Sequence, residues 1–128
     1  MITWQLEEWI TDIGAEVLKK RYTDQKSLSP IEELIYEIWL LDTESRNGGL
    51  SQYFGNHGIE QWKSCCEAVA SVGLLSFADF EDEVNSMIAG MTDPYREINS
   101  RGDAAEDLWY SYQNHVVKEL QLLKENVP

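Results

Sequence analysis

Histidine, cysteine and basic side chains are scarce in this 128-residue chain, and each shortage narrows the range of functions. With only His57 and His115 present, histidine-based metal sites are limited. Cys65 and Cys66 are adjacent and have no third thiol to pair with. Neighbours on a helix point about 100° apart, which defeats disulfide geometry. Neither a CxxC nor a Cys/His metal spacing exists, so the two read as reduced thiols with at least one on a buried helix face. No apolar run approaches the ~20 residues of a membrane span. The opening residues, Met1 to Glu8, carry acids early and no basic stretch, unlike a signal peptide, and the expectation is a cytoplasmic protein. GxSxG, P-loop, GxGxxG and HExxH patterns are all missing. The chain is therefore expected not to be an enzyme, with no catalytic residue, cofactor or metal assigned.

Bases are outnumbered 10 to 23 by acids, for a net charge of −13. The imbalance is uneven: residues 1–28 hold five acids and four bases, whereas residues 29–128 hold eighteen and six. Such a field repels nucleic acid and anionic membrane and steers basic proteins inward. Solubility alone is the competing explanation.

What the chain does have is core material. Hydrophobic residues make up 43%, with five Trp and six Tyr, which sets it apart from disordered chains. Its length suits one domain with one core. The apolar pattern is helical throughout. Ile2, Leu6, Trp9, Ile10, Ile13 and Val17 form one stripe, and Lys19, Lys20 and Arg21 follow where cations suit a helix C-terminus. Ser29-Pro30 is an N-cap with proline at the first helical position. Ile31, Leu34, Ile35, Ile38 and Leu41 then line an inner face. At 100° per residue, Glu33, Glu37 and Glu44 fall within about 40° of one another on the outside, a solvated acidic ridge. Asp42 points inward, where a carboxylate must be paired or hydrogen-bonded.

Later segments continue the pattern. Ile59 to Val72 reads as a helix with Trp62, Cys66, Val69 and Ala70 inside and Gly73 as its stop. Ser76 caps a helix lined by Phe77, Phe80, Val84, Ile88 and Met91, and Asp93-Pro94 opens a short one that Gly102 ends. Asp103 to Glu106 resembles a capping box opening a last helix, with Leu108, Tyr112, His115, Val116, Leu120 and Leu123 inside. The expectation is an all-α single domain of about six or seven helices.

Between two of these helices lies Asp42-Thr43-Glu44-Ser45-Arg46-Asn47-Gly48-Gly49-Leu50-Ser51-Gln52-Tyr53-Phe54-Gly55-Asn56. Gly48 is expected at the left-handed position after the helix, and His57-Gly58 should break the next segment. Asp42, Glu44, Asn47, Gln52, Asn56 and His57 gather polar groups here in one of two ways. Asp42 or Glu44 accepts backbone N–H groups at the turn, with Asn47, Gln52 and Asn56 knitting it together. Alternatively, Asp42, Glu44, Gln52, Asn56 and His57 line a site for a small molecule or metal. The first is preferred, since no nucleophile–base pair is present.

The acids beyond the turn have their own logic. Residues 76–107 hold nine acids and two bases. Acids in first helical turns favour the dipole, but nine exceed that need. Carboxylates one turn apart lie about 6 Å from each other, close to the spacing of successive phosphates on a nucleic-acid strand.

The turn motif, an apolar residue, Asp-x-Glu, Asn-Gly-Gly, an apolar residue, x-Gln, two aromatics and Asn, resembles the signature of the bacterial DMP (DNA-mimic protein) family. Asp107 to Tyr112 running into Val116 to Leu120 is similar to that family's C-terminal helix, and the likeness spans roughly residues 29–125. Ser45 and Leu50 depart from the family's usual apolar residue and phenylalanine. The resemblance implies a dimer-forming acidic protein that occupies the DNA-binding face of a transcription factor. The acids expected to make such contacts are Glu33, Glu37, Glu44, Asp79, Glu81, Asp82, Glu83, Asp103, Glu106 and Asp107, with Asp42, Asn47, Gly48, Gly49, Gln52 and Asn56 as the structural turn. An immunity-type inhibitor of a basic toxin or nuclease, the ligand-binding enzyme at the turn, and a structural dimer with charge only for solubility are the alternatives.

Overall fold

Local caps start three of the helices, at Thr3, Ser29 and Asp93. In a computed structural model describing residues 2–127, seven α-helices and three short 3₁₀ or π segments appear, with no strand among the described residues. Helix α1 (Trp4–Leu18) is capped by the Thr3 hydroxyl, which accepts from the Leu6 N–H. Helix α2 (Pro30–Gly48) opens on a complete capping box: Ser29 Oγ accepts from Glu32 N–H, and Glu32 Oε1 accepts from Ser29 N–H at 2.9 Å. Helix α3 (Leu50–Val72) is broken at Gly58, where φ 80° and ψ −179° interrupt the ladder, as expected of His57-Gly58. Gly73 ends it in the left-handed conformation. Helix α4 (Ala78–Ile88) follows a 3₁₀ turn, Leu75–Phe77, and α5 (Pro94–Arg101) is capped by Asp93. A single turn, α6 (Asp103–Glu106), and a 3₁₀ turn, Leu108–Ser111, lead to α7 (Gln113–Glu125).

Helix α2 is the centre: α1, α3 and α7 all pack on it. Beside it runs an aromatic column of Tyr53, Phe54, Trp62, Phe77, Phe80 and Trp109, with successive ring centroids between 5.2 and 6.5 Å apart. Edge-to-face geometry dominates, the arrangement that aromatic quadrupoles prefer. Trp62 Nε1 reaches out of it to Asn85 Oδ1 at 2.8 Å. No described helix is long and apolar enough to cross a membrane.

Several expectations are corrected. Cys65, not Cys66, is the fully buried thiol, and Ala70 is exposed, because the inward stripe of α3 runs through Trp62, Cys65 and Val69. Met91 lies past the end of α4 and is exposed, as is His115. The Ser76 hydroxyl does not accept an N–H of its own helix as an N-cap would. The Ser76 N–H and hydroxyl instead donate to Glu119 Oε1 of α7 at 2.8 and 2.6 Å, so α4 is started by a carboxylate 43 residues away. Asp103 to Glu106 is no capping box for the last helix, since it forms its own short turn, α6, and the 3₁₀ turn Leu108–Ser111 separates it from α7. Lys20 and Arg21 sit on a π turn, Lys19–Thr23, and pair with Glu32 and Glu33 of α2 rather than serving the end of α1.

Candidate functional site

Asp42 does what an inward carboxylate must. Fully buried, it accepts hydrogen bonds from Arg46 Nε at 2.8 Å, Trp109 Nε1 at 3.0 Å and Gln113 Nε2 at 2.6 Å. Arg46 lies four residues on, the helical neighbour position, and its Nη1 also reaches Glu7 of α1 at 2.7 Å. One carboxylate thus ties α2 to α1 through Arg46 and to the C-terminal segment through Trp109 and Gln113. Asp42 takes no backbone N–H from the turn and does not face a cavity there.

The exposed backbone at the start of α3 is satisfied by Glu106. Its Oε1 accepts from Ser51 N–H at 2.7 Å and its Oε2 from Ser51 Oγ at 2.6 Å. A carboxylate at a helix N-terminus is favoured by both the free N–H groups and the dipole. Glu44 instead accepts from Asn56 Nδ2 at 2.5 Å and lies 3.3 Å from His57 Nε2. The turn is therefore fastened, but by Glu106 across the fold rather than by Asp42 or Glu44.

The two glycines have separate jobs. Gly48 is still helical, and a Cβ there would sit 1.8 Å from Gln52 Oε1, whose side chain folds back over it. Gly49 holds φ 86° and ψ 172°, and a Cβ would meet Glu106 at 3.0 Å. The left-handed expectation for Gly48 is corrected, since the positive φ belongs to Gly49. Gly49→Ala is expected to cost about 2 kcal/mol, combining strain in a φ/ψ region essentially reserved for glycine with displacement of Glu106. Urea denaturation would measure it, with Gly48→Ala as the comparison that tests Gln52 packing alone.

A polar recess of about 480 Å³ opens beside the turn, lined by Asn47, Gln52, Asn56, Asn99, Tyr95 and Glu106 among others. Of the five residues considered for a ligand site, only Gln52 and Asn56 line it. No group of three or more His, Cys, Asp and Glu side chains able to hold a metal forms among the described residues.

The acidic ridge on α2 is also corrected. Glu33 is partly exposed and 3.7 Å from Arg21, but Glu37 is only 6% exposed and accepts from Gln61 Nε2 of α3 at 2.7 Å. Angular counting treats a helix as having one covered face, whereas α2 is central and α3 covers part of its back. Burial pushes the Glu37 carboxyl above its ordinary range, and Glu33 adds to the rise. The Gln61 hydrogen bond and Arg21 oppose them. Because the folded state holds this proton more tightly, the favourable contribution of Glu37 is complete below the unfolded pKa of about 4.5 and fades as pH rises through the folded value. Glu37→Gln, which stays neutral, is expected to gain stability relative to the native protein as pH rises from 4 to 7. Denaturant midpoints at the two pH values check this.

The remaining acids are freer. Among the described residues, seven Lys or Arg ion pairs engage Glu7, Glu32, Glu33, Asp42, Glu60, Asp93 and Glu97, and Glu44 lies beside the His57 ring. None of them uses Asp79, Glu81, Asp82 or Glu83 of α4, or Asp103 and Asp107. Asp79, Asp82 and Glu83 are exposed and lie within one helical turn of each other. Glu83 accepts the Tyr112 hydroxyl, and that bond pushes the Tyr112 pKa up to about 12. Asp82 and Glu83 share a groove of about 650 Å³ with Ala104, Ala105 and Leu108, which brings the flank of α6 beside α4. Asp107 lines a different groove with Glu7 and Arg46, and Glu33 and Glu37 line a third. The ten acids singled out in the sequence thus divide among several faces; Asp79, Asp82 and Glu83 of α4 and Asp103 of α6 are exposed and free of ion pairing among the described residues, as is Asp107 on another face.

Arg46, Trp109, Gln113 and Glu119 hold the site together and were not anticipated. Arg46 was findable as the residue one helical turn from Asp42; the other three act across the fold and leave no local signal.

An all-helical domain with a glycine turn fastened by Glu106 and an acidic face free of ion pairs on α4 defines a class of acidic helical proteins. The chain matches the DMP19-like protein family over residues 26–126 and belongs to it. No curated protein and no solved structure matches it.

Proposed function

We propose that this chain is a non-enzymatic acidic protein that occupies the basic, nucleic-acid-binding surface of a partner protein. The observation that carries the reading is the unpaired acidic face of α4 and α6. Asp79, Asp82 and Asp103 are exposed and make no ion pair among the described residues, and Asp79 and Asp82 sit one helical turn apart on α4, whereas other free exposed acids, such as Asp12, Asp24 and Glu67, are scattered over other elements. Carboxylates one helical turn apart, at about 6 Å, present a basic surface with charges spaced much as phosphates are. Family membership agrees with this reading. The partner is a transcription factor or another DNA-binding protein, and a basic toxin or nuclease inhibited by this chain is the variant of the same chemistry. Dimerisation and a cytoplasmic location accompany the proposal.

The test is competition. A partner captured on the immobilised protein should be released by duplex DNA, and its binding should fall steeply between 0.1 and about 1 M salt, where the screening length shrinks to about 3 Å. Capture that withstands both DNA and salt would sink the reading. The amide-lined recess at the turn favours a second reading, a small polar ligand held by Gln52, Asn47 and Asn99. A thermal-shift screen of metabolites, read against Gln52→Ala, tests it.

A further inference from the structure

The groove lined by Glu33 and Glu37 lies between the π turn, α2 and α3 and holds about 660 Å³. One oxygen of the nearly buried Glu37 carboxylate accepts from Gln61, and the other takes no hydrogen bond or ion pair among the described residues. A nearly buried carboxylate with one neutral partner is incompletely paired, because its second oxygen has no protein donor and keeps only the solvent that the groove admits. Arg21 shows which chemistry the walls accept. Its guanidinium lies 4.9 Å from the Tyr36 ring centroid and 5.6 Å from that of Tyr22, while Nη1 is 3.7 Å from Glu33. Arg21 satisfies Glu33 but makes no ion pair with Glu37, and the space beside it stays open. The rest of the lining is amphipathic: Leu28, Pro30 and Ala68 supply apolar wall, and Ser64 and Gln61 supply polar atoms.

We propose that this groove is a socket for one organic cation, a guanidinium or primary ammonium on an aliphatic stem, with Glu37 as its counter-charge. The stem suits the apolar wall, as long cationic side chains commonly lie along such surfaces with their heads among polar groups. A divalent metal fits less well, since no three carboxylate, thiol or imidazole groups converge among the described residues. The same head group is available from a free alkylguanidine or polyamine and from an arginine or lysine on a protein. The socket does not depend on the reading of the α4 face, with which it shares no lining residue.

The test uses the full chain, labelled with ¹⁵N, titrated with agmatine and separately with an end-capped Ala-Arg-Ala peptide to about 10 mM, above the millimolar range of weak binding. Saturable shifts of the Gln61 side-chain amide are expected. Glu37→Gln should weaken binding about tenfold, the loss of one charge-assisted hydrogen bond. Arg21→Ala should strengthen it several-fold more than Lys19→Ala, which removes an equal charge from the same turn outside the groove. Agmatine binding as tightly as the peptide assigns a free small cation. Peptide binding more than about tenfold tighter assigns a protein side chain. Absence of saturation with both probes overturns the socket, as does unchanged affinity in a Glu37→Gln protein whose amide spectrum is otherwise native.

Discussion

Asp42→Ala is expected to destabilise the protein by about 3–5 kcal/mol, the range seen when one partner of a buried ion pair is removed. The carboxylate serves three donors at once. Arg46 keeps its contact with Glu7 and is partly exposed, so its share of the cost is reduced. Trp109 and Gln113 have no such escape, because both are buried and their N–H groups would face a cavity. Asp42→Asn should cost about half as much, since one acceptor oxygen survives while an NH₂ is set against a donor. Against the roughly 5–15 kcal/mol that holds a typical domain, the alanine variant removes about a fifth or more. Urea titration followed by far-UV circular dichroism measures both. A loss below about 1 kcal/mol for alanine would mean that the hub is not what joins the C-terminal segment to α2.

Reversing Asp79, Asp82 and Asp103 together to lysine is expected to weaken partner binding by about 100-fold or more, because like charges brought against a basic surface cost several kcal/mol. All three side chains are exposed and make no ion pair among the described residues, so the fold should survive, with only a few tenths of a kcal/mol lost at the α4 N-terminus. Titration calorimetry against the captured partner reads the affinity, and the slope of log affinity against log salt should shallow in parallel. Equal affinity before and after reversal would move the contact surface elsewhere on the molecule.

How much of this was legible beforehand depends on distance along the chain. Ser29-Pro30, Asp93-Pro94, Gly58 and Gly73 act within a few residues of themselves, and their roles could be read directly. The inward turn of Asp42 was equally clear from helical phase. What could not be read was which residues answer it, because Trp109 and Gln113 lie 67 and 71 positions away. The same limit explains Glu106 and Glu119. Each sits in a stretch where acids look like solvated surface, yet each reaches across to start another helix. Glu37 failed for a different reason: a central helix has more than one covered face, and periodicity alone cannot say that α3 lies on the second.

The Asp42 hub also imposes an order of events on a chain made from its N-terminus. Asp42 and Arg46 leave the ribosome as a local pair on a helix that can form early. The indole that completes the hub follows 67 residues later, roughly 3–13 s at ordinary rates of synthesis. During that interval the face of α2 that will receive Trp109 and Gln113 remains hydrated, and its carboxylate stays in water rather than in a half-built interior. Closure of the domain then waits on its last quarter, so a truncated chain ending before Trp109 keeps this ion pair at its surface and never seals its core.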